Sequence, residues 1–130
     1  MPPLLQAVNV SDVLGTRLFA VEFLTTLSDE ALITLLYHRP LDDAWLAEAK
    51  ALSKALSADI IGRSRKRKLL TGRDYVVESL EVEGESYRFT QMETGFTQPN
   101  GRVNEQMIAW AQRNSRNIGG DLLELYCGNG

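Results

Sequence analysis

The chain holds one cysteine and one histidine, Cys127 and His38. A thiolate beside an imidazole is a nucleophile–base pair in many enzymes, so these two residue types invite that chemistry. The surroundings of Cys127 argue for something else. It stands in Leu122-Leu123-Glu124-Leu125-Tyr126-Cys127-Gly128-Asn129-Gly130, a short apolar run closing on an acid, an aromatic and a Gly-x-Gly loop. That order reads as a buried strand running into a glycine-rich turn. In doubly wound α/β folds such a turn opens a helix whose N-terminus receives a nucleotide-like cofactor. Small residues there let the backbone approach a ligand, which is a different task from nucleophilic attack. No helix follows Gly130, so the run is expected to be the first strand of a cofactor domain and the chain a piece of a larger protein.

The second concentration of chemistry is electrostatic. Arg63, Arg65, Lys66, Arg67, Lys68 and Arg73 are six of the 14 basic residues, and no acid lies among them. The rest of the chain carries 8 basic and 17 acidic residues, a net charge of −9 against −3 for the whole. A basic patch on an acidic body suits a phosphate backbone. A solvated hairpin with charged edges, guarded against aggregation, fits the same pattern. No metal-ligand constellation is visible.

The frame that must position these residues is a soluble one. The 130 residues are 44% hydrophobic and 24% charged, enough for a domain with a real core. No apolar run approaches the roughly 20 residues of a membrane span. Met1-Pro2-Pro3-Leu4-Leu5 has no basic n-region, so no signal peptide is indicated. A single cysteine excludes an internal disulfide, and a cytoplasmic location is expected.

Leu4, Leu5, Val8 and Val13 suggest a short N-terminal helix, with a break or cap at Asn9–Asp12. Residues 17–27 and 31–38 are rich in aromatic, aliphatic and β-branched side chains and read as an antiparallel hairpin. Asp42 is a good helix N-cap, and Leu41 with Leu46 forms a hydrophobic staple across it. Leu41, Trp45, Ala49, Leu52 and Leu56 then mark one apolar face of a helix ending near Ser57. A third strand begins at residues 59–64, where Gly62 signals a bulge or a close backbone approach. After the basic stretch Thr71-Gly72 reads as a turn. Strands over 75–82 and 86–91 flank a hairpin turn at Glu83-Gly84-Glu85. The fold class is therefore α+β, a mainly antiparallel sheet with packed helices in the order β-β-α-β-β-β. A loop over Thr94–Asn100, a helix capped by Asn100 and the terminal strand from Asp121 follow. Val103, Met107, Trp110 and Ala111 recur at helical spacing, and Met107 and Trp110 are expected in the core, as is Trp45. Two regions result: an α+β region over 1–93, and the start of a second domain over 94–130.

Four stretches in order resemble one family: Phe23-Leu24-Thr25-Thr26-Leu27-Ser28; Leu35-Leu36-Tyr37-His38 with Leu41-Asp42-Asp43-x-Trp45; Phe96-Thr97-Gln98-Pro99-Asn100; and Leu122 to Gly130. The chain is similar to the bacterial tRNA (uracil-5-)-methyltransferases over residues 17–130. The third and fourth motifs are shared with the ribosomal RNA members; the first two point to the tRNA enzymes. The resemblance implies an α+β region that handles RNA and a Rossmann-like domain that binds S-adenosylmethionine. A cysteine adds to C6 of the target uracil, C5 takes the methyl group and a glutamate removes the C5 proton. The base must leave its stack to react. That cysteine and that glutamate lie beyond the glycine motif, so this chain is expected to hold no catalytic residue and to be inactive alone.

The resemblance also implies sites. Gln98, Tyr126, Gly128 and Gly130 fall at the cofactor; Gln98, in a loop stiffened by Phe96 and Pro99, offers one acceptor and two donors. Phe19 and His38 fall on the RNA side, where an aromatic platform stacks an unstacked base. Strand alternation would instead place Phe19 in the core, and a histidine ending an apolar strand is often structural. Arg63, Arg65, Lys66, Arg67 and Lys68 are expected to meet phosphate rather than read bases. The expected partner is the T-arm of tRNA, with no membrane, and with self-association through the terminal strand edge. A ribosomal RNA methyltransferase fragment, a stand-alone RNA-binding module and a fragment that binds nothing are the competing functions.

Overall fold

The computed structural model describes residues 2–121 and 123–125. Helix α1 (Pro2–Val10) starts on proline, whose missing N–H costs nothing in a first turn. Ser11 breaks it and caps the short α2 (Asp12–Gly15), its hydroxyl accepting from Leu14 N at 3.0 Å. The same hydroxyl donates to the Glu48 carboxylate and so ties the N-terminal helices to α3 (Asp43–Leu56). Asp42 caps α3, accepting from Trp45 N at 2.9 Å, and Ser57 ends it in the left-handed region at φ 51°. Both ends stand where the local sequence places them, and Leu41 and Leu46 both join the core around the cap.

Four strands form one sheet in the order β1-β2-β3-β4: β1 (Leu18–Thr25), β2 (Ala31–Tyr37), β3 (Asp59–Ser64) and β4 (Arg67–Leu70). β1 and β2 are the expected antiparallel hairpin. α3 then carries the chain across to β3, which pairs parallel with β2. β5 (Tyr75–Val82) and β6 (Glu85–Met92) make a separate antiparallel ribbon, joined by Glu83 and Gly84 at φ 50° and 89°. Positive φ at both central residues is the turn geometry that matches strand twist. The central strand β2 is buried on both faces. Ile33, Leu35 and Tyr37 join the core under the helices with Trp45, Ala49, Leu52 and Ile60. Leu32, with Ile61 of β3, packs on Val76 of the ribbon. The architecture is thus helices, sheet and ribbon in layers, the α+β class expected.

The basic stretch and the burial of α4 depart from expectation, and the structure decides between the two readings of Gly62. The basic stretch contains a strand, β4, that its sequence does not announce: Arg-Lys-Leu-Leu has no alternation, and pairing with the edge of β3 supplies the order. Gly62 is a close approach and not a bulge, since pairing runs unbroken through it on both sides. A Cβ there would lie 2.3 Å from the Trp45 ring and 2.7 Å from Leu41. Met107 and Trp110 are not core. Helix α4 (Gly101–Ser115) has no buried residue, and Trp110 is 64% exposed, whereas Trp45 is fully buried. Asp121, Leu123, Glu124 and Leu125 stand outside any strand, and the rest of the terminal glycine motif lies outside the described residues.

Candidate nucleic-acid interface

One end of the sheet is built to hold side chains still. Tyr37, the last residue of β2, is buried and donates its hydroxyl to Leu14 O at 2.7 Å. Burial pushes its phenol pKa up, so it remains a neutral donor. Arg39 lies over the Tyr37 ring at 5.3 Å and spends its guanidinium on carbonyls of Thr16 (2.9 Å), Pro40 (3.2 Å) and Val13. Across the loop, Arg67 donates to Leu41 O at 2.8 Å. Between these braces lies a groove of about 830 Å³, lined by residues 37–41 and by Ser64–Arg67 at the β3–β4 turn.

His38 is one of the residues that line the groove. Its backbone N–H donates to Arg17 O at 3.1 Å, with Arg17 itself at φ 56°. Its ring stacks on Phe19 at 4.4 Å between centroids and 15° between planes. Phe19 is 67% exposed, so it is not the core residue that alternation allows. A pair of stacked, exposed rings is an unusual use of apolar surface in a monomeric domain, and it offers a platform for another flat ring.

The five basic candidates divide. Arg63 and Lys68 are partners across the β3–β4 ladder, as are Ser64 and Arg67. Strand alternation therefore sends Arg63 and Lys68 to the face covered by the ribbon. There Arg63 Nε lies 2.9 Å from Glu93, and Lys68 Nζ lies 2.9 Å from Asp74 and 3.2 Å from Glu93. The Glu93 side chain is only 5% exposed and also accepts from Thr34 Oγ1 at 3.3 Å. Burial works to lower the Lys68 pKa, but the carboxylates of Asp74 and Glu93 outweigh it and hold the ammonium above its ordinary value. Arg73 is likewise engaged, by Glu30 at 3.1 Å and Asp59 at 3.3 Å. On the groove side are Arg65, Lys66 and Arg67. Arg65 and Lys66 occupy the turn, are exposed, and enter no ion pair among the described residues.

The structure thus brings Phe19, His38, Arg65, Lys66 and Arg67 to one end and turns Arg63 and Lys68 away. Gln98 sits elsewhere, on the loop before α4, exposed and without a hydrogen bond among the described residues. A neighbouring recess of about 290 Å³ is lined by Glu22, Phe23, Thr34, Glu93 and Phe96–Thr97. Tyr126, Gly128 and Gly130 lie outside the described residues. Arg39, Pro40, Ser64 and Glu93 complete the geometry and escaped the sequence reading. Only the proximity of Arg39-Pro40 to His38 hinted at two of them.

All 130 residues match the family described as tRNA (Uracil-5-)-methyltransferase. The chain belongs to that family. Among curated relatives it is similar to a tRNA/tmRNA (uracil-C(5))-methyltransferase of Cellvibrio japonicus, at 58% identity over 130 residues. Proteins of the same name from Teredinibacter turnerae and Saccharophagus degradans are 56% and 52% identical over 130 residues. Each match covers 100% of this chain and 36% of the relative, so the chain spans about a third of the length of these family members. The family implies a methyl donor of the S-adenosylmethionine type. Among the described residues no helix is long and apolar enough to cross a membrane.

Proposed function

We infer that this chain supplies the RNA-contacting part of an enzyme that methylates C5 of the T-loop uridine of tRNA. The observation that carries this reading is the exposed Phe19–His38 stack beside a turn whose Arg65 and Lys66 enter no ion pair among the described residues. The rings receive a base that has left its helix, and the turn neutralises the phosphates that flank it. The braces on Arg39 and Arg67 hold the surface in shape before RNA arrives, which lowers the ordering cost of binding. The names of the relatives, tRNA/tmRNA enzymes, favour tRNA over a ribosomal substrate.

S-adenosylmethionine, when bound, supplies the methyl group. Gln98, Tyr126, Gly128 and Gly130 are the residues of this chain proposed to hold it. The exposed, uncommitted amide of Gln98 suits such a contact, since it retains all its donors and its acceptor. Self-association belongs to the same reading, because Leu123 and Leu125 are exposed; size-exclusion chromatography tests it.

Fluorescence anisotropy with a T-arm stem–loop tests the RNA reading. Binding is expected at low salt and weakens as salt rises, and charge reversal of Arg65 and Lys66 to Glu abolishes it. Absence of binding at low salt, or binding indifferent to that reversal, refutes the proposal.

A further inference from the structure

His38 is a wall shared by two recesses. One is a small cavity of about 290 Å³ between Arg17, Leu18, Phe19 and His38. The other is the groove of about 830 Å³. The ring stack accounts for one base and leaves the groove without an occupant. Its volume falls in the range of roughly 300–1,000 Å³ typical of small-ligand sites, so it has room for a nucleotide.

The groove's composition narrows the choice. Tyr37 and Leu41 are buried behind its lining, so the exposed Pro40 and His38 rings are its accessible apolar wall, which a bare anion would not use. Arg39 donates to three carbonyls and Arg67 to a fourth, so both are structural braces. Arg65 and Lys66 are the cations left to meet a ligand. A flat apolar body joined to a negative charge is what remains, and a nucleotide within a strand has both parts. A paired, stacked duplex does not, because its bases are hidden.

We propose that the groove seats a second unstacked nucleotide of a single-stranded RNA segment, next in the strand to the base on Phe19–His38. Its base lies along the exposed Pro40 ring beside His38 and its phosphate meets Arg65 and Lys66. His38 separates the two seats, so the site accepts two consecutive splayed nucleotides and discriminates against duplex by shape. This inference rests on the RNA reading above.

The test uses the 130-residue chain, a T-arm stem–loop and a blunt duplex of the same stem. Ser64→Phe fills the groove while leaving every cation in place. It is expected to weaken stem–loop binding about tenfold, the scale of one lost base contact, and to leave duplex binding unchanged. Abasic replacements along the loop then locate the seats. One position is expected to abolish the Ser64→Phe penalty, and its immediate neighbour the Phe19→Ala penalty. Unchanged stem–loop binding by Ser64→Phe, with Phe19→Ala still weakening it, overturns the second seat and spares the RNA reading. If Ser64→Phe does not fold, the abasic scan on the unmodified chain decides: two adjacent sensitive positions support the proposal and a single one overturns it. Failure of every RNA to bind at low salt removes the RNA reading and this inference with it.

Discussion

Gly62 lets the Trp45 indole lie directly against β3. Any Cβ at that position would overlap the ring at 2.3 Å and Leu41 at 2.7 Å. Neither neighbour can yield easily, because Trp45 is fully buried and Leu41 nearly so. Gly62→Ala is therefore expected to destabilise the fold by about 1–3 kcal/mol, the usual cost of overpacking a filled core. Urea unfolding measures it. In a Trp45→Phe background the same change costs less, since the two residues share one contact; an equal cost in both backgrounds would show that the ring is not the cause. The sequence showed that something approaches Gly62. It did not show what, because Trp45 reaches it only after α3 has folded back over the sheet.

At the scale of elements, α4 is held by polar contacts. Glu83, at the tip of the ribbon, takes Arg113 at 3.0 Å and Arg116 at 2.6 Å, while Glu105 accepts from Glu81 N at 3.0 Å and Gln112 donates to the Tyr87 hydroxyl at 2.7 Å. The guanidinium of Arg116, with Arg113, holds the Glu83 carboxyl below its ordinary 4.5. The Glu81 N–H, helped by Arg102, does the same for Glu105. A carboxyl depressed in the folded state stabilises it above the unfolded value and loses that contribution as pH falls through the folded one. The docking of α4 is therefore expected to be intact near neutrality and to weaken below about pH 4.5, the ordinary value of both carboxyls. Glu83→Gln should loosen it at neutral pH as well. Amide chemical shifts along α4 report both effects, and shifts that ignore the substitution would count against the latch. The helix itself was legible: Asn100 caps it, accepting from Val103 N at 3.1 Å, as its place in the sequence suggests. Its burial was not, because helical spacing of Val103, Met107 and Trp110 marks a shared face without saying whether anything covers it.

Over the whole molecule the charge distribution separates cations held in ion pairs from cations that enter none among the described residues. Lys66 on the groove side and Arg63 with Lys68 behind it come from one short basic run, yet they are expected to behave differently. Lys66→Gln should flatten the salt dependence of RNA binding by roughly 0.7–0.9 in the log–log slope, one phosphate contact, with stability unchanged. Arg63→Gln should leave that slope alone and lower stability by about 1–3 kcal/mol, because the buried Glu93 carboxylate loses its nearest cation. Titrations at several salt concentrations, set beside urea midpoints, distinguish the two. A slope reduced equally by both substitutions would mean that the ladder does not sort these side chains as described.

Chain-local chemistry was enough for most of the elements, the caps at Asp42 and Asn100, the ribbon turn at Glu83-Gly84 and the family motifs, since each depends on residues within a few positions of one another; it missed β4, whose order comes from pairing with β3. It was also enough to pick out the lone His38 and the basic run, whereas Phe19 was marked only by the family resemblance. Packing was needed to say which of them face a ligand together. Pairing Arg63 with Lys68, and Ser64 with Arg67, assigns one pair to each face of the sheet. Glu93 then arrives from a different layer to neutralise the inner pair. Charge complementarity over that separation in sequence leaves no local trace, so the division between cations left exposed at the groove and cations that brace exists only once the strands have met.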